Sequence, residues 1–96
     1  MTKPVFYVDF NEMLESDLVL LSATDIKVDL DGKSVHLNEG LEITVFMEDE
    51  NEQGHPDNLV ATGTVEVNDG LGWSSHVKWC CRIDARGTRH QSELSA

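Results

Sequence analysis

Alternating apolar and polar residues along three stretches of the chain predict its main β-strands. Residues 41–48 read LEITVFME, residues 59–67 read LVATGTVEV and residues 75–83 read SHVKWCCRI. Strict alternation is typical of strands that bury one face. Because the stretches are short and polar turn residues separate them, they predict a small antiparallel β domain.

Each predicted strand has an inward and an outward face, because neighbouring side chains point to opposite sides of a strand. In the first strand Phe46 falls on the second face, among glutamates. In the third strand Trp79 and Cys81 fall inward and Cys80 falls outward. Gly63, in the middle of the second strand, marks a bulge or a tight bend.

The first 16 residues predict an N-terminal segment that leads into the β domain. Residues 4–7 look extended. Asp9 then suits the cap of a short helical turn, since Phe10, Met13 and Leu14 follow at spacings of three and four.

Residues 17–40 predict a buried strand followed by a hairpin. The run DLVLLS (17–22) is almost wholly apolar, which is typical of a strand covered on both sides. Asp31-Gly32 then supplies a turn signal. Alternating apolar residues flank that turn, namely Ile26, Val28 and Leu30 before it and Val35 and Leu37 after it.

A short, strongly bent sheet tends to close on itself, because closure removes exposed edges. Residues 17–84 therefore predict a small β-barrel, and residues 85–96, which contain little apolar sequence, predict a flexible tail. The chain is expected to form one domain.

The three strands also carry a resemblance. A glycine at the head of a strand (Gly40), a Gly-x-Val bend (Gly63-Thr64-Val65) and a strand bearing Trp79 occur in this order. The arrangement resembles the core of SH3-like small barrels over roughly residues 17–84. The resemblance implies an all-β fold, a small SH3-like antiparallel barrel. It implies no defined activity, because members of this superfamily bind peptides, nucleic acids or other domains.

Composition narrows the setting. The content of 40% hydrophobic residues is ordinary for a folded domain, and no apolar run approaches the roughly 18 residues that span a membrane. The first ten residues lack the pattern of a secretory signal. We therefore expect a cytoplasmic protein of bacterial type with no membrane association.

The charge is uneven. Residues 1–77 hold 16 acidic and 3 basic side chains, a balance of −13, whereas residues 78–96 hold 2 acidic and 4 basic, a balance of +2. The negative charge of residues 1–77 repels phosphate backbones, which disfavours nucleic acid as a partner. The acidic residues serve either as a solubilising surface or as an attraction for a basic partner.

The adjacent Cys80 and Cys81 cannot form a disulfide without distorting the peptide between them, and the chain has no other cysteine. A reducing compartment fits. On the outward face Cys80 lies between Lys78 and Arg82, whose positive charge would lower a thiol pKa. Cys80 is therefore either a reactive surface thiol or an ordinary strand residue.

The loop after the first long strand concentrates carboxylates at Asp49, Glu50 and Glu52. Starting from Asp49, an EF-hand pattern fits in part and then fails at Val60, which replaces the bidentate glutamate of position 12. A solvated loop and a weak cation site remain as alternatives. The four histidines are scattered, so the sequence predicts no metal site, cofactor or catalytic group.

Two aromatic residues lie outside the predicted core. Trp73 lies in a glycine-rich loop, where it either covers the end of the barrel or contacts a partner. Phe46 either packs under Phe6 or Phe10 or lies in an interface. Exposed aromatics are enriched in interfaces, so both residues favour a protein partner or a weak homodimer that salt would strengthen.

Two classes of function follow. The first is a non-enzymatic protein-interaction module with possible contacts at Trp73, Phe46, Asp49, Glu50 and Glu52. The second is a small ligand-binding or cation-binding protein, or an enzyme, whose site forms between protomers. Because the chain is too short for a roomy pocket, we favour the first class.

Overall fold

The computed structural model describes residues 3–68 and 76–94, and within them the chain is all-β. Its strands, in chain order, are β1 (Val5–Tyr7), β2 (Met13–Glu15), β3 (Leu18–Ser22), β4 (Ile26–Val28), β5 (Ser34–His36), β6 (Glu42–Met47), β7 (Leu59–Val67), β8 (Trp79–Ile83) and β9 (Arg89–His90). A four-residue helix, α1 (Gln91–Leu94), follows β9. No helix in these two ranges has the length and apolar character needed to cross a membrane.

Among the described residues, seven strands form one sheet in the order β1-β6-β7-β8-β3-β2, with β9 beside β7. The predicted strands β6, β7 and β8 are confirmed, and they pair antiparallel. Closure into a barrel is not detected among the described residues. The path ends at β1 on one side and β2 on the other, and the outer edge of β1 meets the hairpin instead, where the Leu30 amide donates to the Val5 carbonyl (3.0 Å).

One face of the sheet covers the main core. Ile43 and Val45 of β6, Val65 of β7 and Cys81 of β8 have no exposed surface. Trp79 is buried among them, as its place in the alternation predicts. The residues predicted to point inward from the three long strands therefore form this face.

The other face carries a second, smaller core, and it corrects the expectation for Cys80. The Cys80 side chain has no exposed surface and packs with Leu18, Leu20 and Val77, with Leu14 at the margin. β8 lies beside β3, and Leu18 and Leu20 of β3, with Leu14 of β2, pack around its outward side. A reactive surface thiol at Cys80 is thereby contradicted, because a thiol must be accessible to react.

Arg82, on the same side of β8, joins several elements. Its guanidinium donates to Asp17 (2.8 Å), to Glu15 (3.3 Å) and through two nitrogens to Glu66 (3.1 Å each). These contacts, first those with Glu66, raise the pKa of Arg82. The side chain therefore links β2, the start of β3, β7 and β8 by charge.

The N-terminal segment differs from its prediction, because the helical turn expected after Asp9 is a reverse turn followed by strand β2. The Asp9 carbonyl accepts the Glu12 amide (2.9 Å), and β2 pairs antiparallel with β3. Met13 packs against the main core and Leu14 against the second. Pairing with β3 thus places neighbouring residues on opposite faces, as a strand requires.

The segment also contributes β1, which pairs with β6 in parallel, Phe6 opposite Val45. At the other end of the chain, β9 pairs with β7, Leu59 opposite His90. Residues 85–94, predicted to be a flexible tail, therefore lie against the sheet. Their mobility stays a prediction.

The hairpin of β4 and β5 is confirmed, and its register differs by one residue from that of a two-residue turn at Asp31-Gly32. A two-residue turn at Asp31-Gly32 would place Val28 opposite Val35. In the structure Val28 lies opposite Ser34, and Val35 lies opposite Lys27. A shift of one residue exchanges the faces of a strand. Val35 and Leu37 consequently pack on the main core, whereas the apolar residues of β4 do not.

Candidate interaction surfaces

The outer face of the hairpin exposes an aliphatic surface, which we call the hairpin stripe and which consists of Ile26, Val28 and Leu30. These residues are 55%, 58% and 61% exposed. Single exposed aliphatic residues are common on proteins, but three at alternate positions along one strand and its turn form a patch. In the sequence these residues form an apolar alternation, but the sequence does not show that they face solvent.

Asp29 sets the register that exposes the stripe. Its carboxylate accepts the amides of Asp31 and Lys33 (2.9 Å each), and its own amide donates to the Lys33 carbonyl (2.9 Å). These bonds close a wider turn than Asp31-Gly32 alone would, in which Gly32 takes a φ of 82°. Side-chain bonds of this kind compete with the regular ladder.

Asp29→Ala should therefore destabilise the hairpin by about 1 kcal/mol, since it removes two acceptors of backbone amides at a partly exposed turn. Asp31→Ala, which leaves both bonds intact, is the matched control. Urea denaturation measures how much each substitution lowers the free energy of unfolding. Equal stability of the two variants would show that Asp29 does not hold the turn.

Phe46 lies on the face of β6 opposite the main core. It is half-buried and meets Tyr7 of β1 edge to face, with ring centroids 5.5 Å apart and an interplanar angle of 82°. Phe6 points to the other side of the sheet, into the main core. Phe46 therefore packs on Tyr7, which is itself 54% exposed, and the pair stays partly open to solvent.

Trp73, the other aromatic residue of the prediction, lies outside the described residues. Asp49, Glu50 and Glu52 lie in the acidic loop, residues 48–58. Glu50 and Glu52 are exposed. The structure thus places Phe46 on the sheet face and the three carboxylates beyond the end of β6.

The tip of the acidic loop is held by the Asn51 side chain. The Asn51 side chain accepts the amides of Gln53 (2.9 Å) and His55 (3.0 Å). An open depression of about 620 Å³ lies beside the loop and is lined by Glu48, Asp49, Glu50, Pro56 and Asn58. Within the described residues, no group of three or more histidine, cysteine or acidic side chains is placed to hold a metal ion.

Glu50→Gln together with Glu52→Gln should leave the melting temperature unchanged or slightly raised, because neither carboxylate shapes the loop and the change relieves self-repulsion. Scanning calorimetry with and without about 5–10 mM calcium, which exceeds the roughly 0.1–1 mM dissociation constants of weak sites, checks this result. A calcium-dependent rise in the wild type that the double variant lacks would instead favour a cation site.

The C-terminal segment, residues 89–93, is tied to both ends of the acidic loop. The His90 imidazole lies 2.9 Å from the Asp49 carboxylate, and Asp57 accepts the amide (2.9 Å) and the hydroxyl (2.8 Å) of Ser92. The bond with Asp49 raises the pKa of His90, and the bond with His90 lowers the pKa of Asp49. Sequence reasoning found no role for His90, since its partner is 41 residues away.

Stability should depend on pH through this pair. The pKa of His90 is raised from 6.5, so the stabilisation is fully present below pH 6.5 and is lost as the pH rises through the folded-state pKa. The pKa of Asp49 is lowered from 3.8. The stabilisation that this carboxylate contributes is therefore present above pH 3.8 and is lost as the pH falls through the folded-state pKa.

Between pH 6 and pH 8.5 (roughly the range in which histidine titrates), His90→Gln should flatten the decline in melting temperature that the wild type shows. His55→Gln, at an exposed loop position, should retain it. Thermal denaturation across this range measures the difference. Identical profiles for the wild type and His90→Gln would exclude the ion pair as the source.

Comparison with models of protein families, with curated proteins and with solved structures finds no match to the chain. The functional conclusion therefore depends on the surfaces described above.

Proposed function

We propose that this protein is a small, acidic, non-enzymatic protein-interaction module. The observation that carries the proposal is the hairpin stripe, three aliphatic residues of β4 and its turn that are each more than half exposed. Burial of such a side chain contributes about 1.5–3 kcal/mol when it is complete. A partner that covers the stripe would therefore gain a substantial part of its binding free energy there.

Phe46 and Tyr7 provide a second contact surface in this proposal. Aromatic side chains that are partly exposed and already held by a neighbour lose little conformational freedom on binding. Asp49, Glu50 and Glu52 add negative charge beyond the end of β6, and Trp73 stays a proposed contact. A cytoplasmic location is part of the same proposal.

The SH3-like resemblance is retained as a proposal as well. The consecutive antiparallel strands β6, β7 and β8, with Gly63 at a close approach of β7 to β8, support it. The resemblance concerns the fold and not the function, since one fold serves many functions.

A small-ligand or cation-binding protein, or an enzyme with a site between protomers, is the alternative. The open depression beside the acidic loop supports a ligand site, since three carboxylates line it, but within the described residues these side chains are not placed to hold a metal ion. The calcium experiment on Glu50 and Glu52 tests the cation-binding form of this alternative.

The interaction module is tested by comparing partners captured by the wild type and by Ile26→Thr/Val28→Thr. Val67→Thr is the matched control, because Val67 is 50% exposed outside the stripe and undergoes the same change. A partner should bind the wild type and Val67→Thr and be lost with the double variant. Calorimetry with the purified partner must then reproduce the loss.

Equal binding of a purified partner to the double variant would show that the stripe is not the contact surface. Melting temperatures of the three proteins establish that each is folded.

A further inference from the structure

The hairpin stripe lies in acidic surroundings. Asp29 and Asp31 flank Leu30 in the turn, and Asp25 precedes β4. Residues 25–40 hold four acidic side chains and two lysines. Lys27 points to the opposite face of the hairpin, since it lies opposite the inward Val35. Asp25 is paired with Lys78 (2.6 Å), so Asp29 and Asp31 are the carboxylates that border the stripe, beside Lys33 at the end of the turn.

Much of the positive charge of the protein is already paired. Lys3, Lys78, Arg82 and Arg86, four of the seven lysine and arginine residues, form ion pairs with carboxylates. The net charge of −11 is therefore an excess of carboxylates over the cations available to neutralise them. An approaching molecule meets a negative potential.

We infer that the hairpin stripe binds a protein segment with an apolar centre and a basic rim. This inference rests on the proposed function and adds the chemistry of the partner. The aliphatic side chains supply the contact area, whereas the carboxylates select positive partners and accelerate encounter. Affinity should consequently fall as salt is added.

A second copy of the chain fits this face less well. It would bring two bodies of charge −11 together and would place acidic turns beside the same stripe. Like charges across an interface disfavour association, so a basic partner has the advantage.

The probe is a ten-residue peptide of alternating leucine and lysine, titrated into the full-length ¹⁵N-labelled protein. A leucine–glutamate peptide and decalysine are the controls. The leucine–lysine peptide should shift the amide signals of residues 26–36 and bind more weakly in 0.5 M than in 0.05 M salt (a range over which screening rises steeply). Ile26→Thr/Val28→Thr, with unchanged net charge, should weaken binding by about tenfold, and Val67→Thr should not.

Each contrary result has a distinct meaning. If the leucine–glutamate peptide shifts residues 26–36 equally, the basic partner is wrong while the interaction module stands. If no peptide shifts these residues, or if the double variant binds as well as the wild type, the stripe itself is not a binding surface. Concentration-dependent dimers in sedimentation that the double variant lacks would show that the occupant is a second copy.

Discussion

Gly63→Ala is expected to destabilise the protein by more than about 3 kcal/mol, beyond the usual range for overpacking. A Cβ atom at this position would lie 2.1 Å from the Arg82 carbonyl oxygen and 2.9 Å from the Cys81 sulfur. This carbonyl oxygen belongs to the neighbouring strand β8, in which Ile83 lies opposite Gly63. β7 and β8 would have to separate, and a domain with about 5–15 kcal/mol of stability tolerates little of this.

Gly32→Ala is the informative control. Gly32 has a φ of 82° and open space where a Cβ would lie, so alanine there costs only the strain of the left-handed backbone, about 1–2 kcal/mol. Urea denaturation of both variants separates close approach from backbone strain. A Gly63→Ala protein as stable as Gly32→Ala would mean that the two strands accommodate a methyl group.

Trp79→Ala is expected to cost about 3–5 kcal/mol, the usual range for removing a buried aromatic side chain. Trp79 is 7% exposed in the main core. Its indole nitrogen donates to the Asp25 carboxylate (3.0 Å), which also pairs with Lys78 (2.6 Å). Those two contacts, Lys78 first, lower the pKa of Asp25.

Trp79→Phe separates the two contributions of this side chain, because it retains most of the apolar area and removes the bond to Asp25. We expect Trp79→Phe to be clearly more stable than Trp79→Ala in urea denaturation. A Trp79→Ala melting temperature within a degree or two of the wild type (much less than the roughly 4–8 °C per kcal/mol expected for a small domain) would contradict the core position.

Local pattern predicts much of this protein, because a strand that buries one face must alternate. The alternation places β6, β7 and β8, and the apolar run 17–22 places β3 with both sides covered. The inward position of Trp79 follows from the same period. Gly63 signals a special position in a strand, but only the facing Arg82 carbonyl shows why.

Only part of the candidate interaction surface could be predicted from the sequence. The acidic loop and the outward face of Phe46 are visible in the sequence, whereas the exposure of the hairpin stripe is not. Exposure there depends on a register of one residue, which the side-chain bonds of Asp29 decide. The observed register exposes the stripe and packs Val35 and Leu37 on the main core instead.

Contacts between distant parts of the chain decided the rest. β1 joins β6 in parallel, β2 replaces a helical turn, and β9 brings His90 to Asp49. Cys80 is buried because β2 and β3 cover a face that alternation alone marks as outward. The sequence by itself determined the all-β class and the long strands, since their period is local. Tertiary structure decided edges, register and the second core, since these depend on which strands become neighbours.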